Sequence, residues 1–241
     1  MNFQIFFAYL TRVNLIMMKY TIPSVRENKT ARIKISILNA SLELIGKKSF
    51  DHVHVSQICS LVGISKVTFF KYFHQKEDIL RYYYKVWSFH RAVELSKDHK
   101  SGLTGIRYLF DCVSLSYSKY PGVFLGLYSY LCKLEMPVRP FSMKIAERTL
   151  LYPEIENISE IESLSLDQLF ENFLLEAIFD KEITRTGNVK QLLHMLDTIL
   201  FGTILTAHVK LSEPSPLLFK QNLEMFLESL RVVDIASPQV Y

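Results

Sequence analysis

Between Ala31 and Val233 the apolar residues recur every three to four positions, and strict alternation is scarce. That period belongs to helices with one buried face, so an all-α chain is expected. The pattern predicts a first helix over about 31–47, with Ile33, Ile37, Ala40, Ser41, Leu44 and Ile45 on one stripe. The polar stretch 19–30, which contains Pro23, reads as a flexible basic arm. After a turn over Lys47–Asp51 come two short helices, about 55–61 and 66–72. Gly63 lies between them, where a chain leaving a helix favours a left-handed residue, and Ser65 is placed to cap the second helix. Two short helices joined by such a turn form a helix-turn-helix.

A longer helix opens at Lys76-Glu77-Asp78, where acidic groups suit the positive end of the helix dipole, and runs to about Leu95. Lys97–Gly102 reads as a boundary. Helical segments follow near 106–119, 122–134 and 142–151, punctuated by Pro121, Pro140 and Pro153, and Glu154–Glu162 reads as a solvated acidic connection. Ser165–Gln168 and Asn188–Gln191 resemble capping boxes for helices to about Asp180 and Lys210. Pro216 suits the first turn of a last helix, to about Val233. The expected organisation is an extension or arm over 1–29, a helix-turn-helix domain over 30–77, a linking helix over 78–96 and a helical body over 97–241. Residues 1–16 have two readings: a short arm packed on the body, or sequence preceding a true start at Met17 or Met18.

Composition narrows the class. With 49% hydrophobic residues in 241, the chain buries a sizeable core and is not disordered. The formal charge of +4 is unevenly spread: residues 1–85 carry thirteen Lys/Arg against five Asp/Glu, whereas 86–241 carry fifteen against nineteen. A basic head on an acidic body suits a polyanion partner for the head, although chance clustering of surface charge gives the same counts. Cys59, Cys112 and Cys132 sit in apolar helical contexts and read as small buried hydrophobes of a reducing cytoplasm, with a thiol sensor as the alternative. No uninterrupted apolar run reaches membrane-spanning length, and Met1–Tyr20 lacks a basic leader and a cleavage site, so a cytoplasmic protein with no membrane partner is expected. His52 and His54 lack a nearby cysteine pair, and no phosphate loop, nucleophile elbow or Cys/His cluster occurs; no enzyme activity, cofactor or metal is expected.

Within the helix-turn-helix, Ile37, Leu44, Phe50, Ile58, Ile64, Phe69 and Phe73 are the candidate core. Lys66, Val67, Thr68, Phe70, Lys71 and Tyr72 are then free to face the major groove of DNA. Lys and Thr hydrogen-bond base edges or phosphates, and Val67 and Phe70 offer apolar contact to a thymine methyl group. The same aromatic and basic residues also fit an ordinary core with a solvated surface.

Thr30–Trp87 resembles the DNA-binding domain of the tetracycline-repressor (TetR) family of bacterial regulators. The resemblance runs through Ile37-Leu38-Asn39-Ala40-Ser41-Leu42-Glu43-Leu44-Ile45, Val55-Ser56-Gln57-Ile58-Cys59, Gly63-Ile64-Ser65-Lys66-Val67-Thr68-Phe69-Phe70-Lys71-Tyr72-Phe73 and Lys76-Glu77-Asp78-Ile79-Leu80. It implies a homodimer that binds a palindromic operator on double-stranded DNA and is released by an unidentified small-molecule effector, with repression as the family's usual outcome. The DNA-contacting set becomes His54, Ser65, Lys66, Val67, Thr68, Phe70, Lys71, Tyr72 and Lys76, with Tyr72 and Lys76 as phosphate clamps. It further implies a C-terminal bundle for dimerisation and ligand binding. Leu196, Ile199, Leu200, Gly202, Thr203, Leu205 and Thr206 are the candidate dimer seam, and Phe110, Tyr117, Tyr120, Phe124, Tyr128 and Tyr130 the candidate ligand pocket. A helix buried within one monomer, and plain aromatic core, are the competing readings of these two sets.

The chain departs from the family pattern at Ser49 (usually glycine), His54 (usually threonine), Val67 (often a small residue) and His74 (often proline), which leaves the operator open. A rival reading keeps the DNA-binding head but gives the body a protein partner in place of a small ligand.

Overall fold

A computed structural model describes residues 23–46, 49–133, 143–184, 188–210 and 216–230; the expectations for residues 1–22 and for the end of the last helix lie outside these. The described residues form helices and no strand. In order they are α1 (Val25–Ile45), a 3-10 turn (Phe50–His52), α2 (Val55–Val62), α3 (Lys66–Tyr72), α4 (Asp78–Lys97), α5 (Gly102–Lys119), α6 (Pro121–Cys132), α7 (Ile145–Leu151), α8 (Leu166–Phe179), α9 (Val189–Lys210) and α10 (Pro216–Ser229).

α1 starts six residues before its expected position. Ser24 Oγ accepts the Glu27 backbone N–H at 3.2 Å, and a Glu27 carboxylate oxygen accepts the Ser24 N–H at 2.9 Å. This reciprocal cap satisfies two donors that a helix start leaves orphaned, and it sits inside the stretch expected to be a loose arm. α5 likewise begins at Gly102 and not near 106, because Glu176 accepts the Gly102 N–H at 3.0 Å and Glu182 the Leu103 N–H at 2.8 Å.

The chain divides into two compact units, residues 1–97 with 122–164, and residues 98–121 with 165–241. In the first, α1, α2 and α3 close around Ile37, Ile45, Phe50, Ile58 and Phe69, all buried. Phe73 continues this core towards α4, with its ring 5.7 Å from Phe69 and edge-on to Tyr82 at 5.6 Å. α7 packs on α1. Its Arg148 donates to the Met143 carbonyl at 3.1 Å and the Ile161 carbonyl at 2.8 Å, and lies over the Phe89 ring. The connection expected to be solvated is therefore docked: Ile155, Ile158 and Ile161 pack with Phe89, Val93 and Met143, while its glutamates and Asn157 face water.

In the second unit α5 packs on α8 and α10, and α9 packs on α8 and α10. Phe110 meets Phe170 at 5.7 Å and Tyr117 meets Phe219 at 6.1 Å. Arg107 joins α5 to α10 through two bonds to the Glu224 carboxylate, at 2.7 and 2.9 Å, which hold the guanidinium in its charged form. Cys59 and Cys112 are buried as expected, whereas Cys132 is exposed. α9 is long and apolar enough, by length and composition alone, to cross a membrane, which a search for uninterrupted apolar runs missed. About a third of that stretch is buried by protein.

Candidate nucleic-acid interface

The seven residues of α3 divide cleanly. Phe69 is wholly buried and Phe73 nearly so, which fixes the inner side of the helix. Val67, Phe70 and Lys71, at i, i+3 and i+4, share the opposite face. Val67 is 82% exposed and Phe70 44%, and Lys66 and Lys71 are exposed beside them. Thr68 and Tyr72 are half-buried at the margins. Phe70 is not loose despite its exposure: its ring stands edge-on to Phe69 at 5.3 Å.

Local hydrogen bonding explains why the helix starts where it does. Gly63, at φ +73°, takes the left-handed turn and returns its N–H to the Cys59 carbonyl at 2.9 Å. Ser65 then caps α3, its hydroxyl accepting the Thr68 N–H at 3.1 Å and lying 2.9 Å from the Thr68 hydroxyl. At the start of α2 the exposed His54 ring makes no cap bond; the His54 N–H donates to the Gln57 side-chain oxygen at 2.9 Å. Gln57 is thus a capping residue that the sequence reading did not single out.

Lys76, expected as a phosphate clamp, engages acceptors within the chain. Its ammonium donates to the carbonyls of Phe50 and Val53, each at 3.1 Å, and to that of Asp51 at 3.5 Å. It also sits 4.4 Å from the centre of the Phe50 ring. An ammonium has three donors, and three carbonyls at the end of the 3-10 turn engage them. Lys76 thereby pins that turn to the residues preceding α4, where Asp78 accepts the His74 and Gln75 N–H groups at 3.0 and 3.3 Å.

A buried charged cluster behind this head had no counterpart in the sequence reading. Glu147 of α7, 2% exposed, accepts from Lys34 of α1 at 3.2 Å, with Lys85 and Tyr82 of α4 among its electrostatic partners. Burial pushes the Glu147 carboxyl up, but Lys34, the Lys144 backbone and Lys85 outweigh it and hold the group below its usual range. Burial pushes Lys85 down to about 8, against the pull of Glu147. Three helices far apart in sequence supply these groups, so no local spacing announces them.

The candidate seam on α9 is split. Leu196, Leu200 and Thr203 face inward, with Thr203 Oγ1 accepting from Asn222 Nδ2 at 2.8 Å, whereas Gly202 is exposed and Ile199 and Thr206 are half-buried. The uncovered apolar side carries Met195, Phe201, Leu205 and Val209, and α10 adds Leu217 and Met225. The six pocket aromatics fall in two units. Phe110 and Tyr117 are core residues of the second, with Tyr120 half-buried at the end of α5. Phe124 is buried in the first, edge-on to Tyr83 at 6.2 Å, with Tyr128 and Tyr130 half-buried on the same helix.

Among solved structures, FadR from Bacillus subtilis, in complex with stearoyl-CoA, is similar at 18% identity over 82% of this chain and 99% of that one, with a TM-score of 0.53. Thermus thermophilus FadR, a repressor in complex with lauroyl-CoA, is similar at 15% identity over 86% and 100%, with a TM-score of 0.56. The reduced form of Escherichia coli NemR gives 15%, 83% and 98%, with a TM-score of 0.54. At such identities the likeness establishes the fold. No curated protein sequence matches the chain. The family of bacterial regulatory proteins called tetR matches residues 37–83, which span the end of α1, all of α2 and α3, and the start of α4. Over that segment, the chain is similar to the tetR family of bacterial regulatory proteins.

Proposed function

We propose that the protein is a homodimeric transcriptional repressor that enters successive major grooves of a palindromic operator with α3 and leaves when its helical body binds a small effector. The observation that carries this reading is the outer face of α3, where two exposed lysines flank two exposed apolar side chains on a helix anchored by Phe69. An α-helix fits the major groove, and ammonium groups there neutralise phosphates or meet guanine edges. His54, Ser65, Thr68 and Tyr72 complete the contact set. Lys76 acts at one remove, by holding the turn that precedes α2.

Selection of duplexes from a random pool by the full chain, followed by titration at several salt concentrations, tests DNA binding. The slope of log affinity against log salt is expected to be steep and negative. In the variant with both Lys66→Ala and Lys71→Ala it should flatten by about one unit per lysine that meets a phosphate. Failure to select any duplex, or an unchanged slope in the double variant, overturns the reading.

The exposed apolar side chains of α9 and α10 support the dimer, since exposed apolar area is what an interaction surface buries. A Cβ added at Gly202 would meet nothing within 4 Å, so the helix has room there for close approach of a second one. Leu205→Glu should give a folded monomer by light scattering; a dimer that survives it places the interface elsewhere. Ligand-linked release from DNA requires an effector that prefers one of two states of this dimer.

A further inference from the structure

We propose that the protein recognises A·T pairs in its target through thymine methyl groups, with Val67 and Phe70 as the reading side chains. The proposal rests on DNA contact by α3 as set out above, and specifies what that contact can distinguish. In the major groove, adenine is read by the paired donor and acceptor of Asn or Gln, cytosine by a carboxylate, guanine by Arg or Lys, and thymine by apolar contact with its methyl group. α3 reads Lys-Val-Thr-Phe-Phe-Lys-Tyr, with no Asn, Gln, Asp, Glu or Arg. The Ser65 and Thr68 hydroxyls lie 2.9 Å apart and bond each other. The Gln57 carbonyl oxygen, which a two-point contact with adenine needs, accepts the His54 N–H at 2.9 Å.

What remains outermost on α3 is two ammonium groups and two apolar side chains. The ammonium groups serve guanine and phosphate. For an A·T pair, the methyl group is the feature that the Val67 and Phe70 side chains can hold. Val67 is β-branched and stiff about χ1, and the Phe70 ring is braced by Phe69, so both present fixed apolar surfaces with little ordering cost. At 82% and 44% exposure they retain apolar area to bury in the groove.

The experiment uses the full chain and the duplex it selects, synthesised with thymine or with deoxyuridine, which differs by that methyl alone. The wild-type chain should bind the deoxyuridine duplex about three- to fivefold more weakly for each methyl contacted, the factor that burial of one such group gives. Val67→Ala, at a site too exposed to disturb folding, should weaken binding to the thymine duplex and lose less than the wild type on the swap to deoxyuridine. Equal wild-type affinity for the two duplexes overturns the methyl reading and leaves DNA binding intact, as does an identical loss in wild type and variant. Absence of any selected duplex overturns DNA binding itself.

Discussion

Replacing Glu147 by glutamine is expected to cost the folded chain about 3 kcal/mol at neutral pH, because removing one member of a buried ion pair strands the other charge. Lys34 is partly exposed and recovers some hydration, but Lys85 is buried and keeps its proton partly through Glu147. A drop in the urea midpoint with unchanged slope would register the loss. The Glu147 carboxyl ionises below its ordinary value of 4.5, so its contribution is complete above that pH and fades as pH falls through the folded-state value. The gap between wild type and Glu147→Gln should therefore be constant from pH 7 to about 5 and close in stronger acid. Lys85 works in the opposite sense: with its folded value near 8 and the ordinary one at 10.5, stability rises with pH between them. Combining Glu147→Gln with Lys85→Met should restore part of the loss, since it removes the stranded charge. A gap under about 0.5 kcal/mol, or one independent of acid, would show that the pair does not carry this weight.

Gly105→Ala is expected to cost about 2 kcal/mol, although alanine is the better helix former by about 1 kcal/mol. A Cβ at position 105 of α5 would lie 2.6 Å from three ring carbons of Phe173 on α8. The ring is buried and cannot swing aside without displacing its neighbours. Phe173→Leu in the same chain should relieve much of the penalty, and thermal unfolding of the four chains measures the coupling. If Gly105→Ala raises the midpoint, helix propensity outweighs the contact and the two helices are less tightly apposed than that distance requires.

Where the answer lay within one turn of helix, the sequence reading found it: Gly63 at the left-handed position, Ser65 on the Thr68 N–H, and Phe69 and Phe73 inside. Ser24 and Glu27 have the same spacing logic, but no apolar stripe begins beside them, so their cap passed for an arm. α9 failed differently. Its apolar residues cover two sides, and periodicity finds stripes without saying which one the neighbouring helices take; Leu196 and Leu200 went inward and Leu205 out. Lys76 and Glu147 were hidden because the carbonyls that Lys76 meets and the lysine that Glu147 pairs with lie 23 or more residues away in sequence. Such a partner exists only once the chain has folded.

The three carbonyls gathered by Lys76 constrain how the start of α4 can move against the turn before α2. Swinging the start of that helix away from the turn before α2 would break all three bonds together and leave a cation over an aromatic ring without its acceptors. Tilting the whole three-helix block as a unit breaks none of them. The motion that spares these bonds is a rotation of the block together with the start of α4, so under the proposed function an effector would change the aim of the α3 face and leave its shape intact.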